Sequence, residues 1–372
     1  MEAGHFVENM TIAIISVFII GVVLISFASS RKARRKLISL LISSYGAIPA
    51  EKEYDLGSIG MYSYYKGADA PDGLRVDDIT WSDLDLDKVF RRINVCLTSV
   101  GEEYLYNCLH EPRFESDCFL EREKAIAFFT EHNEKRLAVQ IDLTKLGKTD
   151  YNGLASLIFD TDTKMLKYPY IINVLSLLPL FCALILIFNV STGVACIFLS
   201  FIINLIVYSI TKKKVNIEIP AISYFASMLN CCSKLCKIKN IDSLSLIADI
   251  KKYYNIFKPL EGKLPGAMTG SGNDLAVIFE YINILFLYDI RRYNKVIKNI
   301  IQYNNDFHAL YRAIGEIDLA LCVSSFRKSL PVFSLPEFHE QYTIEFDEVY
   351  HPLIQSPVTN TGIIKNDSLI TG

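Results

Sequence analysis

Three long apolar runs divide a chain whose other apolar residues recur mostly with helical periodicity. The runs cover residues 11–28, 170–188 and 193–210, and each has about the length that a helix needs to cross bilayer hydrocarbon. None of them contains Asp, Glu, Lys, Arg or His. The pattern therefore predicts three transmembrane helices that serve as an anchor, because transporters and proton relays carry charged residues at membrane depth.

The charges that flank these runs predict an orientation. A basic cluster at 31–36 follows the first run, whereas two glutamates precede it, so the positive-inside rule places the N-terminus outside the cell. Only residues 189–192 separate the second and third runs, which predicts a tight helical hairpin. Lysines at 164–167 and 212–214 flank the two ends of this hairpin. We therefore expect a multi-pass protein of the cell membrane whose soluble regions are cytoplasmic.

The soluble blocks contain amphipathic segments that predict further helices. Phe90, Ile93 and Leu97 mark one apolar face, and Ser99 with Glu102 has the spacing of a capping box that begins the next helix. Leu275 to Ile300 predicts one long amphipathic soluble helix, because charged residues interrupt its apolar positions. Residues 53–73, rich in Tyr and Gly, predict irregular structure or short strand pairs.

Composition agrees with a membrane-anchored helical protein in a reducing compartment. Hydrophobic residues make up 51% of the 372 positions, and the formal net charge of −3 gives no overall basic field for nucleic acid. The nine cysteines form no pair of CxxC motifs. Cys231, Cys232 and Cys236 have no further ligand nearby at zinc spacing, so buried helix cysteines are the favoured interpretation.

Other candidate chemistry is weak. The six histidines include no His-x3-His pair, and no Gly-x-Ser-x-Gly elbow is present, so a zinc or serine hydrolase has no support. The acidic run 78–87 lacks the Gly and Glu of a calcium loop and predicts a helix start. The glycine-rich stretch 262–273 lacks Gly-Lys-[Ser/Thr] and predicts a flexible loop between lever helices.

Two sets of residues resemble the MutS mismatch-repair ATPase family. The C-terminal set is 311–321 (YRAIGEIDLAL), then Tyr350-His351-Pro352, then Pro357-Val358-Thr359-Asn360, then Leu369-Ile370-Thr371-Gly372. In order and spacing this is similar to the last lever helix, the His-Pro turn, the segment near the adenine and the start of the Walker A loop. The sequence departs from the family in having Tyr350 where Arg is usual.

The second set lies upstream, in the order that the family has. Gly101, Leu105, Leu109 and Pro112, followed by residues 122–126, are similar to the start of the MutS core domain. The resemblance covers about 77–165 and 215–372. The resemblance implies that the clamp, which contacts DNA in mismatch-repair MutS, is missing or replaced here, and that the domain that reads mismatches is missing.

The resemblance implies a homodimer that binds ATP and Mg²⁺ and uses hydrolysis to move lever helices, with possible binding of mismatched DNA. It assigns Val358 and Asn360 to the base, and Thr371 and Gly372 to the edge of the phosphate loop. Thr371-Gly372 comes before the Walker A lysine, so we expect the sequence to be the front part of a longer protein. This chain alone is then expected to be catalytically inactive, without tight ATP binding.

The expected fold is mainly α, with a MutS-like core and lever region that ends in the first strands of an incomplete P-loop ATPase domain. We expect an anchor at 1–30, a first core part at 31–168, the membrane hairpin at 169–211, a second core part with levers at 212–335 and the start of the ATPase domain at 336–372. The alternative is a non-enzymatic membrane scaffold whose helical region docks a protein partner. A third hypothesis is a membrane tether that binds DNA without reading mismatches.

Overall fold

A computed structural model describes residues 29–68, 75–112, 116–149, 153–241, 244–261, 274–339, 342–354 and 356–365. The described chain is mainly helical, as the sequence predicts, and its two strands form one small sheet. The first predicted membrane run, 11–28, and the glycine-rich stretch 262–273 lie outside the described residues.

The helices and strands are numbered in chain order. The first half of the chain contains α1 (29–44), α2 (Leu56–Ile59), α3 (Met61–Gly67), α4 (Asp78–Asp83), α5 (Leu86–Ile93), α6 (Ser99–His110), α7 (Ser116–Glu131), α8 (Asn133–Leu146), α9 (Leu154–Phe159), α10 (Thr161–Lys164) and α11 (Pro169–Ile185). The second half contains α12 (Val190–Leu235), α13 (Ser245–Phe257), a 3₁₀ turn (Lys258–Leu260), α14 (Asp274–Phe286), α15 (Tyr288–Gln302), α16 (Asn304–Lys328), β1 (Thr343–Val349) and β2 (Asn360–Lys365).

The hydrophobic core is built around α16. This helix packs against α6, α7 and α13, so elements from both predicted core parts share one cluster of buried side chains. Phe225, Phe257 and Phe307 join α12, α13 and α16 through ring contacts. These aromatic side chains are almost completely buried and contribute large apolar area to the core.

One helix of the described chain, α12, is long and apolar enough to cross a membrane by length and composition. The prediction of three such helices is therefore not met. The first run is outside the described residues, and α11 is an apolar helix of only 17 residues. It is shorter than predicted because residues 186–188 leave the helix and form turns that lead into α12.

The hairpin of apolar helices is present, however. Helices α11 and α12 pack along each other, and the turn brings Leu186 so close to Gly193 that a Cβ on Gly193 would lie 2.7 Å from the Leu186 backbone nitrogen. Asn189 caps α12 by accepting a hydrogen bond from the Thr192 amide at 3.1 Å. We call α11 together with residues 190–210 of α12 the apolar hairpin.

Three local predictions are wrong. Residues 275–300 form two helices, because Leu287 adopts a left-handed conformation with φ of 49° and ends α14. The stretch 53–73 is predicted to be irregular or to form short strand pairs, but its described part, residues 53–68, contains the short helices α2 and α3. The capping residue of α6 is Thr98, one position before Ser99, and its side chain accepts from the Gly101 amide.

The C-terminal region holds an antiparallel hairpin of β1 and β2. Thr343 pairs with Lys365 and Val349 pairs with Asn360, with an irregularity between Phe346 and Val349. Most of the hairpin is exposed. The sequence predicts the start of an ATPase sheet here. The described residues of this region contain one two-stranded antiparallel sheet, and its place in an ATPase domain stays a prediction.

Candidate functional site: a buried polar network between α6 and α16

The two MutS-like sets meet at the start of α6. Asp318 of α16 is fully buried, and its carboxylate accepts hydrogen bonds from the backbone amides of Leu97 and Thr98 at 3.0 and 2.8 Å. It also accepts from the Thr98 hydroxyl at 2.6 Å. Because the N-terminal end of a helix carries partial positive charge, the carboxylate of α16 stabilises the end of α6 across 220 residues of sequence.

Two glycines allow this close approach. A Cβ on Gly101 would lie 2.1 Å from Asp318 Oδ2, and a Cβ on Gly315 would lie 2.6 Å from Cγ of Tyr104. Both distances are far below ordinary van der Waals contact. Only glycine therefore fits at these two facing positions of α6 and α16 without displacement of the neighbouring helix.

Two further carboxylates extend the network along the same helices. Glu316 accepts two hydrogen bonds from the Arg122 guanidinium, at 2.8 and 3.0 Å, and a third from the Tyr104 hydroxyl. Glu103 accepts from the hydroxyl of Tyr311. Paired, nearly buried carboxylates of this kind fix the register of two helices, because displacement leaves a buried charge unpaired.

Lys148 closes the network on its other side. Its ammonium group pairs with Glu102, which also accepts a hydrogen bond from the Asn94 side chain at 2.8 Å. Burial opposes the charge on Lys148, but Glu102 and the other acidic groups around it hold its pKa above the ordinary value. We call Asp318, Glu316, Glu103 and Glu102, with their donors, the buried polar network.

Gly147-Lys148-Thr149 matches the end of a Walker A motif, a feature that the sequence analysis missed. The structure excludes a phosphate-loop role for it, because the tripeptide follows helix α8 instead of a strand. Its lysine is held by Glu102, and its Gly147 carbonyl accepts from the Tyr224 hydroxyl at 2.9 Å. The tripeptide is part of the packing around α6.

The buried polar network is suited to holding α6 and α16 together. Burial raises the pKa of Asp318, although Thr98 and the backbone amides of Leu97 and Thr98 act in the opposite direction. Burial also raises the pKa of the Tyr311 hydroxyl, and the adjacent Glu103 adds to the effect. Within the described part of the chain, no group of three or more His, Cys, Asp or Glu side chains could hold a metal ion.

The predicted nucleotide residues are only partly placed. Val358 is 81% exposed, and Asn360, at the start of β2, is exposed and hydrogen-bonds to the Val358 carbonyl at 3.4 Å. Thr371 and Gly372 lie outside the described residues. The assignment of these four residues to a nucleotide site stays a prediction.

An open groove lies beside this segment. Its volume is about 850 Å³, and it runs between the α5 end of the core and the turn that contains Tyr350 and Pro352. Its wall carries basic side chains from Lys88, Arg91 and Arg92 and acidic ones from Glu51 and Glu53. The groove is large enough for a small ligand, and its wall includes the His-Pro turn region of the resemblance.

Two of the three clustered cysteines are buried helix residues, as predicted, whereas Cys236 is half-buried at the end of the helix. Cys231 and Cys232 lie on α12 and are buried, and Cys236 is the C-cap residue of that helix. Burial raises the pKa of Cys232, so its thiol is an unreactive core group.

Comparison with protein-family models, with curated proteins and with solved structures finds no match. The MutS resemblance therefore rests on the residues quoted above and on their arrangement.

Proposed function

We propose that this chain is the membrane-anchored core and lever region of a MutS-like ATPase. In the full-length protein, ATP and Mg²⁺ would drive movement of the lever helices, and the protein would act as a homodimer with possible binding of mismatched DNA. The chain would be a multi-pass protein of the cell membrane with its N-terminus outside and its soluble regions in the cytoplasm.

One observation carries this proposal. The upstream MutS-like set and the Glu316-Ile317-Asp318 run lie far apart in the sequence, yet they interlock at Gly101 and Asp318. The resemblance rests on order and spacing alone, and neither requires that the two sets touch. Their contact supports the idea that they belong to one inherited core and lever arrangement.

The course of α12 supports the membrane part of the proposal. The helix has 46 residues, which corresponds to about 69 Å at 1.5 Å per residue. Its first half carries exposed apolar side chains such as Val194, Phe198 and Ile206, and its second half buries Phe225 and Leu229 in the core. One continuous helix therefore connects a surface of exposed apolar side chains to the core that contains the buried polar network.

The exposed β-hairpin supports the expectation of a larger sheet. Ile344 and Ile363 are 64% and 58% exposed, and both strands have a free edge among the described residues. An isolated two-stranded sheet is marginally stable in water. Additional strands of an ATPase domain would cover these apolar side chains and pair with the edges.

The decisive test is the gene sequence after the codon for Gly372. The proposal expects Gly-Lys-[Ser/Thr] roughly five codons further on, followed by a helix. The chain described here is expected to show no micromolar ATP binding in isothermal titration calorimetry, whereas the product of the longer reading frame should bind and hydrolyse ATP. A stop codon directly after Gly372 would refute the ATPase function.

The stop codon would instead favour a non-enzymatic membrane scaffold. The exposed apolar side chains of the β-hairpin are the observation that supports this second candidate. DNA binding is tested separately by a mobility shift of the full chain in detergent, because phosphate contacts weaken steeply with salt. Absence of a shift at low salt would exclude the DNA-tether hypothesis.

A further inference from the structure

The corner between α14 and α15 lies against the apolar hairpin. The Phe201 and Tyr281 rings are 6.4 Å apart, and the Asn204 side chain donates to the Leu285 carbonyl at 2.7 Å. Asn283 donates to the Tyr208 hydroxyl at 3.4 Å. We propose that this corner, residues 281–289, is a re-entrant membrane element whose exposed face contacts lipid hydrocarbon. The proposal rests on the membrane anchoring of the apolar hairpin.

The depth of the corner follows from its contacts on α12. Phe201, Asn204 and Tyr208 precede Lys212 by 11, 8 and 4 residues. At 1.5 Å per residue, they lie about 6 to 16 Å along the helix axis from that lysine. Half of the hydrocarbon thickness of a bilayer is about 15 Å. With Lys212 at the membrane surface, the corner therefore reaches well into the hydrocarbon.

The membrane surface is marked by charged and aromatic side chains. Lys212 pairs with Glu280 at 3.3 Å, and both side chains are substantially exposed. Lys213 and Lys214 continue the basic cluster, and Tyr168 and Tyr170 are exposed at the start of α11. Lysines and tyrosines are enriched at the boundary between membrane and water. Glu280 is thus the last charged residue before the corner. The corner itself contains one charged residue, Asp289, whose carboxylate accepts a hydrogen bond from the Asn283 side chain.

Two backbone groups at the helix break are hydrogen-bonded by side chains, as a membrane interior demands. A helix break in lipid leaves carbonyl and amide groups that no water can bond, unless protein groups replace the water. Asn204 provides a donor for the Leu285 carbonyl, and Asn283 Oδ1 accepts from the Asp289 amide at 2.8 Å. Leu287, the left-handed residue, is fully buried. Two asparagines thus stabilise the break from either side.

The outer face of the corner continues the lipid-like surface of the hairpin. Tyr281 and Ile282 are 58% and 46% exposed. They line an apolar groove of about 430 Å³ together with Val194, Phe198 and Phe201 of α12. A groove between two exposed apolar helices, on the bilayer side of the lysine cluster, fits an acyl chain of the surrounding lipid.

Tryptophan fluorescence tests the proposal, because Trp81 is the chain's single tryptophan and lies in α4. The full chain is reconstituted into phosphatidylcholine vesicles with or without brominated acyl chains, and aqueous iodide is the opposing quencher. The test variants are Tyr281→Trp and Ile282→Trp. Phe198→Trp reports on the hairpin, and Tyr64→Trp, on the exposed face of α3, reports on water. Wild type provides the Trp81 baseline.

The added fluorescence of both test variants is expected to fall in brominated vesicles and to resist iodide, as for Phe198→Trp. Quenching of both by iodide alone, with Phe198→Trp still quenched by bromolipid, would overturn the re-entrant corner and leave the anchor intact. Failure of bromolipid to quench Phe198→Trp would refute the anchor itself and the corner with it. Circular dichroism confirms that each variant keeps the wild-type helix content.

Discussion

The contact between α6 and α16 can be tested by adding a single methyl group. In Gly101→Ala the new Cβ would lie 2.1 Å from Asp318 Oδ2 and 2.6 Å from its Cγ, more than an ångström closer than ordinary contact. Asp318 cannot simply rotate away, because three donors hold its carboxylate. The two helices must therefore move apart, and the buried polar network must break in part.

The magnitude follows from three contributions. Overpacking of a dense core costs about 1–3 kcal/mol. Loss of one hydrogen bond to a buried carboxylate costs about 1–3 kcal/mol more, since donors such as the Thr98 amide stay buried. The higher helix propensity of alanine returns about 1 kcal/mol. We expect Gly101→Ala to lower the free energy of unfolding by about 3 kcal/mol.

This change is measured by urea unfolding of the full chain in nonionic detergent, followed by far-ultraviolet circular dichroism. Gly57→Ala in α2 is the matched control, because the nearest atom to its Cβ is the end of the Asp55 side chain at 3.3 Å. It should stay within about 1 kcal/mol of wild type. Equal unfolding free energies for the two variants would refute the described packing of α6 on α16.

Three further outcomes are expected from the same unfolding assay or from its variation with pH. Lys148→Met should lower the unfolding free energy by about 3 kcal/mol, because Glu102 keeps a buried charge without its partner, and Glu102→Gln in the same chain should restore part of the loss. Asn204→Leu should leave the Leu285 carbonyl unpaired and expose Tyr281→Trp to iodide; unchanged shielding would contradict the role of Asn204. Burial raises the folded-state pKa of Asp318. The unfolding free energy of wild type relative to Asp318→Asn should therefore be greatest below the unfolded pKa of about 3.9 and should fall as pH rises through the folded pKa. A stability difference that grows with pH would contradict this.

Periodicity predicted the helical character of the chain, because that signal is local. Apolar faces such as Phe90 with Ile93, and runs such as 193–210, appear in the structure as helices. The break at Leu287 was missed, because a leucine with positive φ has no local signal. The nearby Leu285 carbonyl is bonded by Asn204, about 80 residues away in the sequence. Contacts between distant segments override local pattern at such positions.

The candidate site, too, could be predicted only in part from the sequence. The residues Glu316, Asp318 and Gly101 were singled out by resemblance, but their mutual contact could not be deduced from spacing. Nothing in the sequence around Arg122 or Lys148 indicates which carboxylate each would pair with, so their role as counter-ions was not foreseeable. A buried charge acquires its partner through the fold, and the fold brings together segments that sequence order keeps apart.

Helix α12 connects the apolar hairpin mechanically to the core that contains the buried polar network. A helix transmits displacement along its axis when its hydrogen bonds are continuous and its sides are packed. The second half of α12 is packed in the core, and its Glu218 pairs with Lys164 at 2.9 Å just past the lysine cluster. Pro220 follows directly, and it removes one amide from the helix ladder, which is a common cause of bending. With the apolar hairpin anchored in a membrane as proposed, movement of the core relative to the bilayer would concentrate at Pro220, and the Lys164–Glu218 pair would resist it.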